Sequence, residues 1–166
     1  MISRILVPVQ PSSPSKVAID LAALSAKAFG ASLLLTTVVS EDGAGHNSDL
    51  APDGGDDITT GTAFRRQAGG SPTHDTGAHP GHAVTVAEQQ LQSLARELRE
   101  EIGTVDVAVA SGDPIDNLIE MAHRESVDLV VMATHGRRGI ARGIMGSVAD
   151  AMVRNSAIPV LVVKGD

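Results

Sequence analysis

The segment Ala133-Thr134-His135-Gly136, followed by nine residues and then Gly146-Ser147, has the residue types that bind an anion. Glycine lets backbone amides approach a phosphate with no Cβ in the way. A helix opening at Ser147 would add free N–H groups and the positive end of its dipole. The Ser147 hydroxyl could donate to a phosphate oxygen or cap its own helix. Arg137, Arg138 and Arg142 lie between the glycines and could offset phosphate charge locally in a chain that is acidic overall. Glycines alone would make only a flexible turn; strand, glycines, arginines and helix start in this order are what a phosphate site needs. Neither a Walker A pattern nor Gly-x-Gly-x-x-Gly is present, so the P-loop and dinucleotide readings lose their main support.

Other reactive side chains are weaker candidates. His46, His74, His79 and His82 cluster in sequence, but no acidic third ligand on a defined scaffold accompanies them, so solvated histidines are the simpler reading. His135 has a suitable intrinsic pKa for a general base, yet it reads better as a residue that positions the loop. Ser12 and Ser13 have no evident base partner and read as turn and cap residues. No catalytic triad can be assembled, and no metal site is expected.

The elements that must position these residues follow from hydrophobic period. Arg4 to Val9 and Leu33 to Val39 are continuous apolar runs, as expected of strands covered on both faces. Between them, Ser13 is the expected N-cap with Pro14 at the first helical position, Val17, Leu21, Leu24 and Ala28 share one face, and Gly30 ends the helix. Ala87, Leu91, Leu94, Leu98 and Ile102 mark an amphipathic helix ending at Gly103. Val105, Val107 and Val109 alternate with Asp106, Ala108 and Ala110, which suits an edge strand. Asp113-Pro114 opens a helix with Ile115, Leu118, Ile119 and Ala122 inward. Val127 to Ala133 is a fourth strand, Ser147 to Asp150 resembles a capping box, and Ile158 to Val163 is a fifth strand. Right-handed crossovers turn this alternation into a doubly wound parallel sheet of the α/β class, with a ligand expected at the carboxyl ends of the strands where the winding reverses.

Composition agrees and excludes other classes. The 166 residues fit one domain, 1–166, and its only aromatics are the two phenylalanines, Phe29 and Phe64, so the core must be aliphatic. Residues from about 40 to 82 shift to Gly, Asp, Ser, Thr, His and Pro and read as a flexible insert. A formal charge of −7 and the lack of aromatic stacking platforms argue against nucleic acid. With no cysteine, disulfides and thiolate metal sites are excluded. Met1 to Val9 is too short for a signal-peptide apolar region, no apolar run is long enough for membrane insertion, and a cytoplasmic protein is expected.

With these residues in place the chain resembles the universal stress protein family, over nearly its whole length outside the insert. The family's nucleotide-binding branch carries Gly-x-x-Gly, nine residues, then Gly-Ser or Gly-Thr, which falls here on Ala133, Gly136, Gly146 and Ser147. Ile5-Leu6-Val7-Pro8-Val9, Gly112-Asp113-Pro114 and Pro159-Val160-Leu161-Val162-Val163 also match it. The resemblance implies a three-layer α/β fold with a five-stranded parallel sheet in the order 3-2-1-4-5, like that of the adenine nucleotide alpha hydrolases. It further implies a homodimer formed through the C-terminal strand and a stress-response regulatory function that senses ATP, with Mg2+ as its candidate companion. Pro8, Val9, Gln10 and the Val38 backbone would meet adenine and ribose. Met132, Ala133, Gly136, Gly146, Ser147 and Val148 would surround ribose and phosphates, with Arg137 beside them. Ala133 stands in place of the first glycine and Gln10 in place of the usual aspartate. The alternatives are a dimeric interaction module without nucleotide, acting on a protein partner, and a slow ATPase.

Overall fold

The computed structural model describes residues 1–10, 15–39, 80–134 and 146–165. Five strands, β1 (Arg4–Pro8), β2 (Ser32–Val39), β3 (Val105–Ser111), β4 (Leu129–Thr134) and β5 (Val160–Lys164), form one parallel sheet in the order β3-β2-β1-β4-β5. Four helices, α1 (Lys16–Phe29), α2 (Pro80–Ile102), α3 (Pro114–Arg124) and α4 (Ser147–Asn155), connect them. Parallel strands covered on both faces need apolar side chains on both faces. One cluster joins Ile5, Val7, Leu33 and Leu35 to Ala22 and Ala26 of α1 and Leu91 and Ala95 of α2. The opposite cluster joins Leu6, Leu34, Val130 and Met132 to Leu118 and Met121 of α3 and Ala149 and Met152 of α4. The three-layer arrangement and the strand order are those expected. β3 lies at an edge, as its alternation suggested, and there Asp106 meets Arg4 at 2.9 Å.

Several local expectations need correction. The face of α1 with Val17, Leu21, Leu24 and Ala28 is not the buried one: Val17 is 45% exposed and Leu24 65%. Ala18, Ile19, Ala22, Ala23 and Ala26 are buried instead. Small side chains let the helix lie close to the β1 and β4 surface, where leucine would hold it off. The N-cap is Ser15, in extended conformation, so Ser13 is not the cap and Pro14 is not the first helical residue. Both Ser13 and Pro14 lie outside the described residues. At α4 the N-cap is Gly146, whose carbonyl accepts from the Asp150 N–H at 2.9 Å. Ser147 is therefore the first helical residue, and Asp150 pairs with Arg154 at 2.9 Å rather than closing a capping box. α2 starts at Pro80, within the stretch read as insert, whose residues 40–79 lie outside those described.

Other signals are realised as read. The Asp113 carboxylate accepts from the N–H groups of Ile115 at 2.8 Å and Asp116 at 3.0 Å, with Pro114 in the first turn. Gly30 closes α1 at φ 67°, a left-handed conformation that costs glycine little, and its successor Ala31 donates to the Ala26 carbonyl at 2.9 Å.

The central pairing is that of β1 with β4, across which the winding reverses. It runs only over Ile5 with Leu129 and Leu6 with Val130, whereas β1 and β2 stay paired from Arg4 with Ser32 to Pro8 with Thr36. Asp128 ties the amino end of this junction. Its carboxylate accepts from the Ser3 hydroxyl and the Ser3 N–H, both at 2.7 Å, and from the Arg4 N–H at 3.1 Å. Its own N–H donates to the Arg4 carbonyl at 2.9 Å. These bonds, the Ser3 hydroxyl first, hold the Asp128 carboxyl below the ordinary aspartate range.

Two outcomes follow from this packing. Ala22→Leu, at a fully buried contact with the sheet, should cost about 1–3 kcal/mol by overpacking. Leu24→Ser should stay within about 0.5 kcal/mol, and urea unfolding of both variants separates the two faces of α1. A carboxyl whose folded pKa is lowered stabilises the fold above its unfolded value and loses that contribution as pH falls through the folded one. Asp128→Asn should therefore lower Tm clearly at pH 7 and much less near pH 3. An equal loss at both pH values would show that the carboxylate does not act as this clasp.

Candidate functional site

Beyond Leu6 and Val130 the two central strands are no longer paired, and a cleft of about 350 Å³ opens at the carboxyl edge. Its walls come from every layer. Pro8, Val9 and Gln10 continue β1, and Thr36, Thr37 and Val38 end β2. Met132 and Ala133 end β4, Ser15, Ala18 and Ile19 come from the start of α1, Pro114 and Leu118 from α3, and Val148 from α4. None of these described lining residues is ionisable. A binding site of this kind reads its ligand through shape, hydroxyls, one amide side chain and backbone groups.

Of the residues expected to bind, Pro8, Val9, Gln10, Val38, Met132, Ala133 and Val148 are brought together in this one cleft. Gly146 and Ser147 stand next to Val148 at the start of α4, where the helix presents its free N–H groups. Gly136 and Arg137 lie outside the described residues, as do Arg138, Arg142 and His135. Ala133 is accommodated in place of glycine: it lies in the extended strand β4, and Ser126 is the only described residue other than glycine with positive φ. Among the described residues, nothing stands within 4 Å of where a Cβ on Gly146 would be.

Backbone direction gives Val38 its place in the cleft. Successive residues of a strand turn their N–H and C=O alternately to one neighbour and the other. The Thr36 carbonyl faces β1 and accepts from the Val9 N–H at 2.7 Å, whereas the Val39 carbonyl faces away from β1 and accepts from the Gly112 N–H at 3.0 Å. Val38 is in phase with Thr36, so its N–H and C=O point to the β1 side one step beyond the last bond from that strand. They form an adjacent donor and acceptor at the cleft wall. Below them, the Thr36 hydroxyl donates to the Met121 sulfur at 3.0 Å, with both residues buried, which gives the floor a fixed polar contact.

The contributions of α1, α3 and the two threonines went unread in the sequence. Leu118 was recognised as inward-facing, but not as a cleft wall. Thr36 and Thr37, adjacent hydroxyls in an otherwise apolar strand and both buried, were the available signal. Among the described residues no cluster of His, Asp and Glu could hold a metal ion.

Comparison with known proteins agrees with this architecture. Residues 1–164 match the profile of the Universal stress protein family. A universal stress protein of Methanocaldococcus jannaschii, MJ0531, is 35% identical over 77 residues, 46% of this chain and 45% of the relative. The stress response protein NhaX of Bacillus subtilis is 32% identical over 77 residues, 46% of each. The matched stretch thus spans about half the length of these curated relatives. Among solved structures, a universal stress protein in complex with cAMP aligns with a TM-score of 0.62 at 20% identity, covering 99% of this chain and 98% of that one. The universal stress protein of Archaeoglobus fulgidus in complex with dAMP aligns with a TM-score of 0.57 at 19% identity, covering 99% and 100%. At these identities the structural likeness is one of fold, and the profile match across nearly every residue completes it: the chain belongs to the universal stress protein family.

Proposed function

We propose that the cleft binds an adenine nucleotide, with ATP as its full-length occupant, and that the chain acts as a stress-response nucleotide sensor. The observation that carries this reading is the Val38 backbone at the wall of a cleft with no ionisable described residue. Adenine offers an acceptor at N1 beside a donor at its exocyclic amine, which complements one N–H and one C=O. Guanine and hypoxanthine carry the opposite pattern on that edge and would leave both backbone groups mismatched, at a cost of about 1–3 kcal/mol per unsatisfied group. The phosphates would run past Ala133 to the start of α4, where Gly146 is the N-cap and Ser147 the first helical residue. Two proteins of the same fold hold cAMP and dAMP. The cleft supplies no carboxylate from its described walls, so Mg2+ would be held by the phosphate oxygens themselves. A sensing role without rapid turnover and a cytoplasmic location belong to the same proposal. No helix among the described residues is long and apolar enough to cross a membrane.

A homodimer through the C-terminal strand is a second part of the reading. β5 is an edge strand with Leu161 38% exposed, and such an edge can pair with its own copy about a two-fold axis.

Calorimetric titration tests the site. ATP should bind the wild type, GTP should bind at least about tenfold more weakly, and Gly146→Trp, at the N-cap of α4, should lose at least about tenfold in ATP affinity. Failure of the wild type to bind ATP at millimolar concentration would sink the reading. Sedimentation tests the assembly: the wild type should be dimeric and Leu161→Lys, at a half-open edge position, should shift it toward monomer. A wild type that sediments as a monomer overturns the dimer.

A further inference from the structure

We infer that Lys164 sets the phosphate preference of the cleft, favouring nucleoside di- and triphosphates over monophosphates; this rests on the nucleotide reading of the same site. The first observation is a charge deficit. A nucleoside triphosphate brings several negative charges, yet no described residue lining the cleft is ionisable, so beside the arginines of the glycine-rich segment a share of their balance falls to side chains at the rim. A helix start contributes only about half a positive charge.

The second observation is where the described cations are. Lys16, at the start of α1, stands at the carboxyl edge, but its ammonium lies 3.3 Å from Asp20. Arg4, Lys27, Arg124 and Arg154 are each taken up in ion pairs. Arg99 donates to the Val105 carbonyl. Lys164 and Arg96 enter none of the ion pairs among the described residues and both are exposed. Arg96, however, lies in the second half of α2, which leads to the amino end of β3, whereas Lys164 ends β5 at the carboxyl edge.

The third observation is its position. Lys164 is the last residue of β5 and pairs in register with Thr134, the last residue of β4. The Gly165 N–H donates to the Thr134 carbonyl at 3.2 Å, so the ladder continues past Lys164 and holds its backbone at the sheet edge. Val160 and Val162 pack into the cluster formed by α3 and α4. Lys164 continues their alternation and therefore rises on that same face, which is also the face and the end at which α4 begins. Ala133, which lines the cleft, pairs with Val163. A nucleotide whose sugar lies against Ala133 and Val148 thus extends its phosphates toward Lys164. An ammonium on a long flexible stem suits a terminal phosphate better than a base or a sugar. A monophosphate, ending nearer to α4, would gain little from it.

The experiment is titration of wild type, Lys164→Met and Lys164→Arg with ATP, ADP and AMP at fixed salt, then with ATP at two salt concentrations. Lys164→Met should weaken ATP by about tenfold and AMP by less than about twofold, the usual range for a hydrogen bond to a charged group. Lys164→Arg should restore most of the ATP affinity, and the methionine variant should show a shallower salt dependence. Because Lys164 is exposed, unchanged Tm confirms that folding is not at issue. Equal losses for ATP and AMP, or no loss for either, overturn the inference while leaving nucleotide binding in place. A wild type that binds none of the three overturns the site reading and this inference together.

Discussion

The pairing of β1 with β4 is the constraint on which the architecture turns. The chain winds outward from β1 through β2 to β3, then returns to the other side of β1 and winds outward again through β4 to β5. That return leaves two neighbouring strands with no direct covalent connection and with helices leaving in opposite directions. They are held together at the amino end, where Asp128 collects hydrogen bonds from Ser3 and Arg4. Paired only over Ile5 with Leu129 and Leu6 with Val130, they are free to part at the carboxyl end. The clasp and the cleft are opposite ends of one junction: closing the first defines where the second can open.

Much of this was legible because parallel sheets write themselves plainly. Buried strands are unbroken aliphatic runs, and Asp113-Pro114 announced a helix start by a mechanism that needs only local atoms. What stayed hidden required knowledge of neighbours. On α1, leucine and valine at helical spacing suggested an inward stripe, but the sheet beneath is close enough to admit only alanine and Ile19. Periodicity finds the stripes of a helix; the distance to the opposing surface decides which one is buried. At α4, serine and glycine compete for the same cap, and the glycine takes it. The strand ends of the site were readable from the resemblance in motif, whereas Ser15, Ala18 and Leu118 enter it only through the separation of two strands.

The cleft's chemistry has a division of labour. On the proposed reading, apolar walls and one backbone donor–acceptor pair would address the base, and nothing in the described walls would address charge. Gln10 belongs to this pattern: an amide at the end of β1 keeps hydrogen-bonding capacity while adding no ionisation to the wall. Selectivity for a bound base would therefore depend on main-chain direction, which substitution of a side chain cannot easily remove. On the same reading, a response to phosphate number would be located outside these described walls.

The alanine face of α1 leads to a different conclusion about how this molecule tolerates change over time. A helix seated by large side chains is loosened when one of them shrinks, and it keeps drifting with each trimmed methylene. A helix seated by Ala18, Ala22, Ala23 and Ala26 has almost nothing left to trim, and it can be disturbed chiefly by growth. The same helix displays Val17, Leu24 and Phe29 outward, where the fold itself places no demand on them. One strip of α1 is therefore closed to variation and the other open to it, so sequence drift along this helix should accumulate on a single side.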